Sequence, residues 1–327
     1  MGSDVSRTVA ANPGGGSLTH QALLYGSEQD FLAGTIPAVS AGLERGDLIR
    51  IVTTARNAGW LRAELGAAAA RVEFGDSSVS YRHPVRMLAA VHRTVQAASR
   101  EGRRLCLIGE PLWTRRSPQE NTEWARYESL VNAALAWASA VLVCTYDIRA
   151  IAPGVIADMV RTHPQLVTAG GVTPTPNYVD PVEFSAEHDT LPLPELPPPA
   201  LSLRFDEVDQ LVTLRALVNT NATEAGAPVP DVERFVQAID EVATNAIEYG
   251  GGAGTVRLWT GPQAMLCEIS DTGAGLTDPL AGRLPSGRST ARGRGLWLAR
   301  QLCDLVDVRS GQAGTTVRLH LNLGGAV

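Results

Sequence analysis

Glu241 and Asn245 stand four residues apart in the run Phe235-Val-Gln-Ala-Ile-Asp-Glu-Val-Ala-Thr-Asn-Ala-Ile-Glu-Tyr249, which Gly250-Gly251-Gly252 closes. On a helix that spacing stacks a carboxylate and an amide one above the other. Such a pair, with a glycine stop behind it, suits a site that handles a metal-bound phosphate. The element that must carry it is legible in the same stretch. Phe235, Ile239, Val242 and Ala246 recur at helical spacing and make one apolar stripe. Taken alone, the stretch reads as an ordinary amphipathic helix with a solvated polar face, because short motifs are weak evidence. The rest of the chain decides.

Composition removes several alternatives. The 327 residues suffice for two domains, and 44% hydrophobic with 19% charged content is that of a globular protein. No apolar run approaches the roughly 20 residues that span a bilayer. The N-terminus lacks the basic start, apolar core and cleavage pattern of a signal peptide, so a cytoplasmic protein is expected, with no membrane contact. A net charge of −6 argues against direct nucleic-acid binding. All 28 basic residues are arginine. Without lysine there is no P-loop lysine and no kinase strand lysine, which excludes the two commonest phosphate-handling schemes. Cys106, Cys144, Cys267 and Cys303 are scattered without CxxC or Cys/His metal spacing and read as buried thiols.

Residues 1–17 read as a disordered tail. From Leu18 to Gly170, short apolar strands (Gln21–Tyr25, Asp47–Thr53, Leu105–Ile108, Val141–Tyr146) alternate with helices near 28–43, 57–70, 85–100, 123–138 and 154–162. That alternation implies a parallel sheet covered on both faces, with ligands beyond the C-terminal strand ends. Tyr25, Thr53-Thr54, Gly109-Glu110 and Thr145-Tyr146-Asp147 lie there. Gly26 to Gly34 lacks the spacing and the lysine of a P-loop. Residues 171–200 hold eight of the twenty prolines and read as a semi-rigid linker.

From Leu201 the pattern changes. Helices are expected over 206–224 and 231–249, then a hairpin of Thr255–Trp259 and Ala264–Ile269. Asp271-Thr-Gly-Ala-Gly275 follows, then an arginine-bearing loop, then a glycine-led helix over 293–304, and strands at 307–310 and 315–321. Helices on one face of a mixed sheet would make a two-layer α/β sandwich.

The order Glu241-xxx-Asn245, Asp271-x-Gly273-x-Gly275, Gly293-x-Gly295, Gly314-Thr315 resembles the nucleotide-binding fold shared by gyrase, Hsp90, histidine kinases and MutL, over about 201–323. Four boxes in order are far more specific than any one. Glu241-Val-Ala-Thr-Asn-Ala-Ile-Glu-Tyr249 and Gly314-Thr-Thr-Val317 make it similar to the anti-sigma serine/threonine kinases of partner-switching systems. The resemblance implies ATP and Mg²⁺ as cofactors and an anti-anti-sigma factor or a sigma factor as partner, and leaves a homodimer open. It makes Glu241 the general base toward a substrate serine, and puts Thr315 beside the base. Each box also has a physical task. An amide oxygen such as that of Asn245 is a hard ligand suited to Mg²⁺. Asp271, at the end of an apolar strand, can accept from an adenine amino group, and Gly273 and Gly275 let the backbone approach the base. Gly293 and Gly295, with Leu296 after them, open a helix whose N-terminus offers N–H groups to phosphate. Arg288, Arg292 and Arg294 could add charge-assisted contacts.

Two rivals remain at this point. An ATP-gated switch would sequester a sigma factor or antagonist without phosphoryl transfer, though it would not need Glu241. A histidine kinase would carry its phosphoacceptor on a helical segment before the ATP domain, where this chain has a proline linker. The first half, over about 18–167, is similar through His20-Gln-Ala-Leu-Leu-Tyr25 and Cys144-Thr-Tyr-Asp147 to the methanogen/methylotroph sensory (MEDS) domain. That resemblance implies a RecA-like, three-layer parallel-sheet fold without a working P-loop, which senses a small organic ligand.

Overall fold

A computed structural model describes residues 17–114, 116–189, 192–276, 278, 281–283 and 294–323. The chain divides into two compact units. The first takes the described residues up to Arg82, Ala90–Arg115 and Val131–Tyr178; the second takes His83–Ala89, Arg116–Leu130 and those from Val179 onward.

The elements of the first half are β1 (Leu18–Tyr25), α1 (Glu28–Arg45), β2 (Leu48–Thr53), α2 (Ala55–Leu65), β3 (Glu73–Asp76), α3 (Ser77–Ser80), α4 (Pro84–Arg100), β4 (Leu105–Gly109), α5 (Pro118–Ala134), β5 (Ala140–Asp147), α6 (Pro153–Thr162), β6 (Gln165–Thr168) and β7 (Gly171–Pro174). The seven strands form one sheet in the order β3-β2-β4-β5-β1-β6-β7. Every pairing is parallel except β6–β7. β4 is buried along its whole length, as a strand covered on both faces must be. Local chemistry sets the helix limits. Ser27 caps α1 by accepting from Asp30 N at 3.1 Å, and Gly46 ends it at φ 77°. The expected helix over 57–70 stops at Leu65 and continues as a 3₁₀ turn over Gly66–Arg71. β3 and β6 add to the strands expected from the sequence; at four residues each they are too short to show a periodic pattern.

Within 171–200, read from sequence as linker, the chain forms β7 and then α7 (Pro181–Asp189). β7 is an edge strand, where Pro174 is tolerated because no further strand needs its missing N–H. The proline run is tied down by its carbonyls. Pro194 O accepts from Arg318 Nη1 at 2.8 Å and Pro197 O from Trp259 Nε1 at 2.6 Å. Proline lacks a donor but keeps its acceptor, so side-chain donors hold it in place.

The remaining elements are β8 (Leu201–Phe205), α8 (Gln210–Glu224), α9 (Val229–Glu248), β9 (Gly254–Thr260), β10 (Ala264–Asp271), α10 (Arg294–Leu302), β11 (Leu305–Gly311) and β12 (Gly314–Asn322). The sheet order is β11-β12-β10-β9-β8, antiparallel throughout. This corrects the expected mixed sheet: the consecutive strands close as hairpins, and β8, missed in the sequence, adds antiparallel to β9. Leu211, Leu214 and Val218 of α8, the Phe235–Ala246 stripe of α9 and Leu296 and Ala299 of α10 share one core with the inward residues of the sheet. Among the described residues, no helix is long and apolar enough to cross a membrane.

One polar cluster inside the second unit was invisible in sequence. Glu123, 6% exposed, accepts from Arg126 at 2.8 Å, Arg300 at 3.2 Å and Arg283 at 3.3 Å. Burial alone would raise this carboxyl, but the three guanidinium groups hold it well below the usual carboxylate range. A depressed folded-state pKa contributes stability above the unfolded value of ~4.3, and that stability is lost as pH falls below it. Glu123→Gln is expected to cost about 3 kcal/mol at neutral pH, since it leaves buried cations without their counter-charge. Urea unfolding of the variant should also show less loss of stability on acidification than the wild type.

Candidate functional site

α9 positions the first pair. Its stripe is buried, with Phe235 at 1% and Ile239 at 0% exposure, so the helix is anchored and its half-buried Glu241 and Asn245 are held in place. The first turn of α10 lies directly against them. A Cβ built on Gly295 would stand 2.7 Å from Asn245 Nδ2 and 3.0 Å from Glu241 Oε2. Only glycine lets the start of that helix approach the carboxylate and the amide so closely. A carboxylate oxygen of Glu241 and the amide group of Asn245 therefore abut a helix N-terminus, where unpaired N–H groups favour an anion.

Asp271 ends β10 and organises the second and fourth boxes. Its Oδ1 accepts from Gly273 N and from Thr315 N, each at 3.0 Å. Its Oδ2 takes no hydrogen bond from the described residues, which leaves an acceptor at the strand end. The glycines are packed to backbone contact. A Cβ on Gly273 would lie 2.7 Å from Gly250 Cα, and one on Gly314 (φ 120°) would lie 2.0 Å from Asp271 O. Gly275 (φ 78°) abuts Gly311 O in the same way. Thr315 Oγ1 shares a 3.0 Å hydrogen bond with Ser310 Oγ, which accepts from Leu276 N at 2.7 Å.

The structure thus brings together Glu241, Asn245 and Gly295 in one contact, and Asp271, Gly273 and Thr315 in another, with Gly275 beside the latter. Arg294 is exposed as the first residue of α10. The Leu296 side chain is 6% exposed and belongs to the core, so only its backbone is suited to a ligand. Arg288, Arg292 and Gly293 lie outside the described residues. Sequence reasoning missed Ser310 and the second role of Gly250. Its place after the helical run marks it as a helix stop, yet a Cβ there would come within 2.6 Å of the Asp271 side chain. Three consecutive glycines, more than a stop requires, were the available signal.

At the C-terminal strand ends of the first unit, Glu110 gathers the residues expected there. It accepts from Tyr25 OH at 2.6 Å, from Thr54 N and Asn57 Nδ2 at 3.0 Å, and from Thr53 Oγ1. Burial first, then the hydrogen bond and charge of Glu110, hold the Tyr25 phenol far above its usual range, so it remains a donor. With its acceptor sites used internally, Glu110 braces the rim.

Residues 19–164 match the family described as MEDS, the methanogen/methylotroph, DcmR sensory domain. Residues 206–321 match the histidine kinase-like ATPase domain family. The chain therefore carries a MEDS domain followed by a histidine kinase-like ATPase domain, and the second family implies ATP binding. No curated protein matches the chain. Among solved structures it is similar to the RsbU and RsbW domains of a Mycobacterium tuberculosis protein, at 22% identity and TM-score 0.27, over 38% of this chain and 32% of that one. It is also similar to the histidine kinase domain of the blue-light activated histidine kinase of Erythrobacter litoralis, at 19% identity and TM-score 0.23, over 35% of this chain and 63% of that one. The chain thus spans less than two thirds of either.

Proposed function

We propose that the ATPase domain is an Mg·ATP-dependent serine/threonine kinase acting on an anti-anti-sigma partner, and that the MEDS domain biases it through a small organic ligand. One observation carries this reading: Gly295, in the first turn of α10, lies directly against Glu241 and Asn245. A phosphate held at that helix N-terminus would lie beside a carboxylate able to take a proton and an amide oxygen suited to Mg²⁺. Bound Mg·ATP would supply the transferable phosphoryl group. Glu241 would accept the proton of the substrate hydroxyl, and Asn245 would hold the metal. The second oxygen of Asp271 would accept from the adenine amino group, with Gly273, Gly275 and Thr315 lining the base. Arg294, with Arg288 and Arg292, would add charge toward phosphate. A switch that only binds ATP has no use for a base at this contact, which favours transfer.

The test incubates the full chain with Mg²⁺, γ-labelled ATP and an extract of its native host, then maps the label. Acid-stable phosphate on a serine or threonine of a captured partner is expected. Acid-labile label on one of the chain's own histidines would make it a histidine kinase instead. ATP-dependent capture without any label would make it a switch.

A further inference from the structure

The first unit gathers three metal-ligating side chains that the ATP site does not use. His20 lies on β1, Cys144 on β5, and His163 directly after α6. They are 2%, 9% and 0% exposed, and their ligand atoms lie within 4.8 Å of one another. The sheet makes part of this inevitable. Leu142 pairs with His20 and Cys144 with Ala22, so His20 and Cys144 project from the same face of adjacent parallel strands.

The hydrogen bonds around the two imidazoles fix which nitrogen faces the cluster. Asn132 Nδ2 donates to Thr162 O at 2.8 Å, which sets its Oδ1 as an acceptor 3.0 Å from His20 Nδ1. His163 Nδ1 lies 2.9 Å from Met159 O, which can only accept, and 3.1 Å from Thr162 Oγ1. Each ring is set as a donor at Nδ1, so that in its neutral form the lone pair is at Nε2. His20 Nε2 is 3.4 Å from Cys144 Sγ, and His163 Nε2 is 3.4 Å from Tyr146 OH. An Nδ1–H held by a carbonyl or amide oxygen, with Nε2 turned inward, is the outer-shell arrangement of metal-bound histidine. The spacing agrees. Zinc bonds of tetrahedral geometry separate a thiolate sulfur and an imidazole nitrogen by ~3.6 Å, close to the 3.4 Å found between Cys144 and His20.

We propose that His20, Cys144 and His163 form a binding site for a zinc-class divalent cation within the MEDS domain. The thiolate and two imidazoles select a borderline-soft ion over Mg²⁺ or Ca²⁺. Binding forms one metal–sulfur and two metal–nitrogen bonds, and the Cys144 thiol proton passes to solvent. The Tyr146 hydroxyl yields its place at His163 Nε2. The site shares no residue with the proposed ATP-binding set and does not rest on the kinase reading.

Cobalt(II) titration of the reduced full chain under anaerobic conditions tests this. A thiolate-to-cobalt charge-transfer band is expected to saturate at one equivalent and to be bleached by zinc. Cys144→Ser should abolish the band, Cys106→Ser, in a buried thiol outside the cluster, should leave it intact, and Asn132→Ala should weaken binding ~10–100-fold. If Cys144→Ser does not fold, as read by circular dichroism, His163→Gln takes its place and should abolish stoichiometric binding. Absence of the band in the wild-type chain would overturn the proposal, as would its survival in a folded Cys144→Ser or His163→Gln protein.

Discussion

Replacing Asp271 with asparagine is expected to weaken ATP binding roughly 10²-fold while leaving the fold intact. The substituted amide keeps one oxygen, so Gly273 N and Thr315 N, both bonded to Oδ1, retain their acceptor. What changes is the other atom. On the proposed reading, Oδ2 accepts from the adenine amino group, and an amide NH₂ in its place sets donor against donor. Loss of a charge-assisted hydrogen bond at such a position is worth about 3 kcal/mol, hence the roughly 10²-fold. The same exchange favours guanine, which presents a carbonyl oxygen where adenine presents an amino group. Displacement of a fluorescent nucleotide from both proteins by ATP and by GTP reads the two effects together. The gap between the nucleotides should narrow in the variant, and an unchanged ATP affinity would remove Asp271 from the base site.

Glu241→Gln is expected to separate binding from transfer. Glutamine has the size and polarity of glutamate, so the contact with Gly295 and the helix packing persist, and ATP binding should persist with them. On the proposed reading the proton acceptor is then gone, and phosphoryl transfer to a verified partner should fall ~10²–10⁴-fold, the usual worth of a general base. Single-turnover transfer at saturating ATP measures this step alone. A variant as fast as the wild type would mean that Glu241 is not the base.

The residues of the candidate site stand out in the sequence because the constraints on them are local. Glu241 and Asn245 declare themselves by helical spacing, and the glycine boxes by conformations and approaches that few other residues allow. The parallel sheet showed in the same way, as apolar strands such as Leu105–Ile108 set between helical patterns. What escaped depends on distant residues meeting. Nothing at Glu123 announces that Arg283 and Arg300 will pack against it, and nothing in Gly250 names Asp271 as its neighbour. β3, β6 and β8 are four or five residues long and take their identity from the strand beside them. His20, Cys144 and His163 carry no motif spacing, so only the register of β1 with β5 and the end of α6 make them neighbours.

Calorimetric titration of the full chain with ATP, with and without Mg²⁺ and alongside GTP, shows whether the second domain holds a nucleotide at Gly295 and Asp271. On the proposed reading, one ATP binds per chain, more tightly with Mg²⁺, and GTP binds far more weakly. Absence of binding heat, or equal affinity for ATP and GTP, would contradict it.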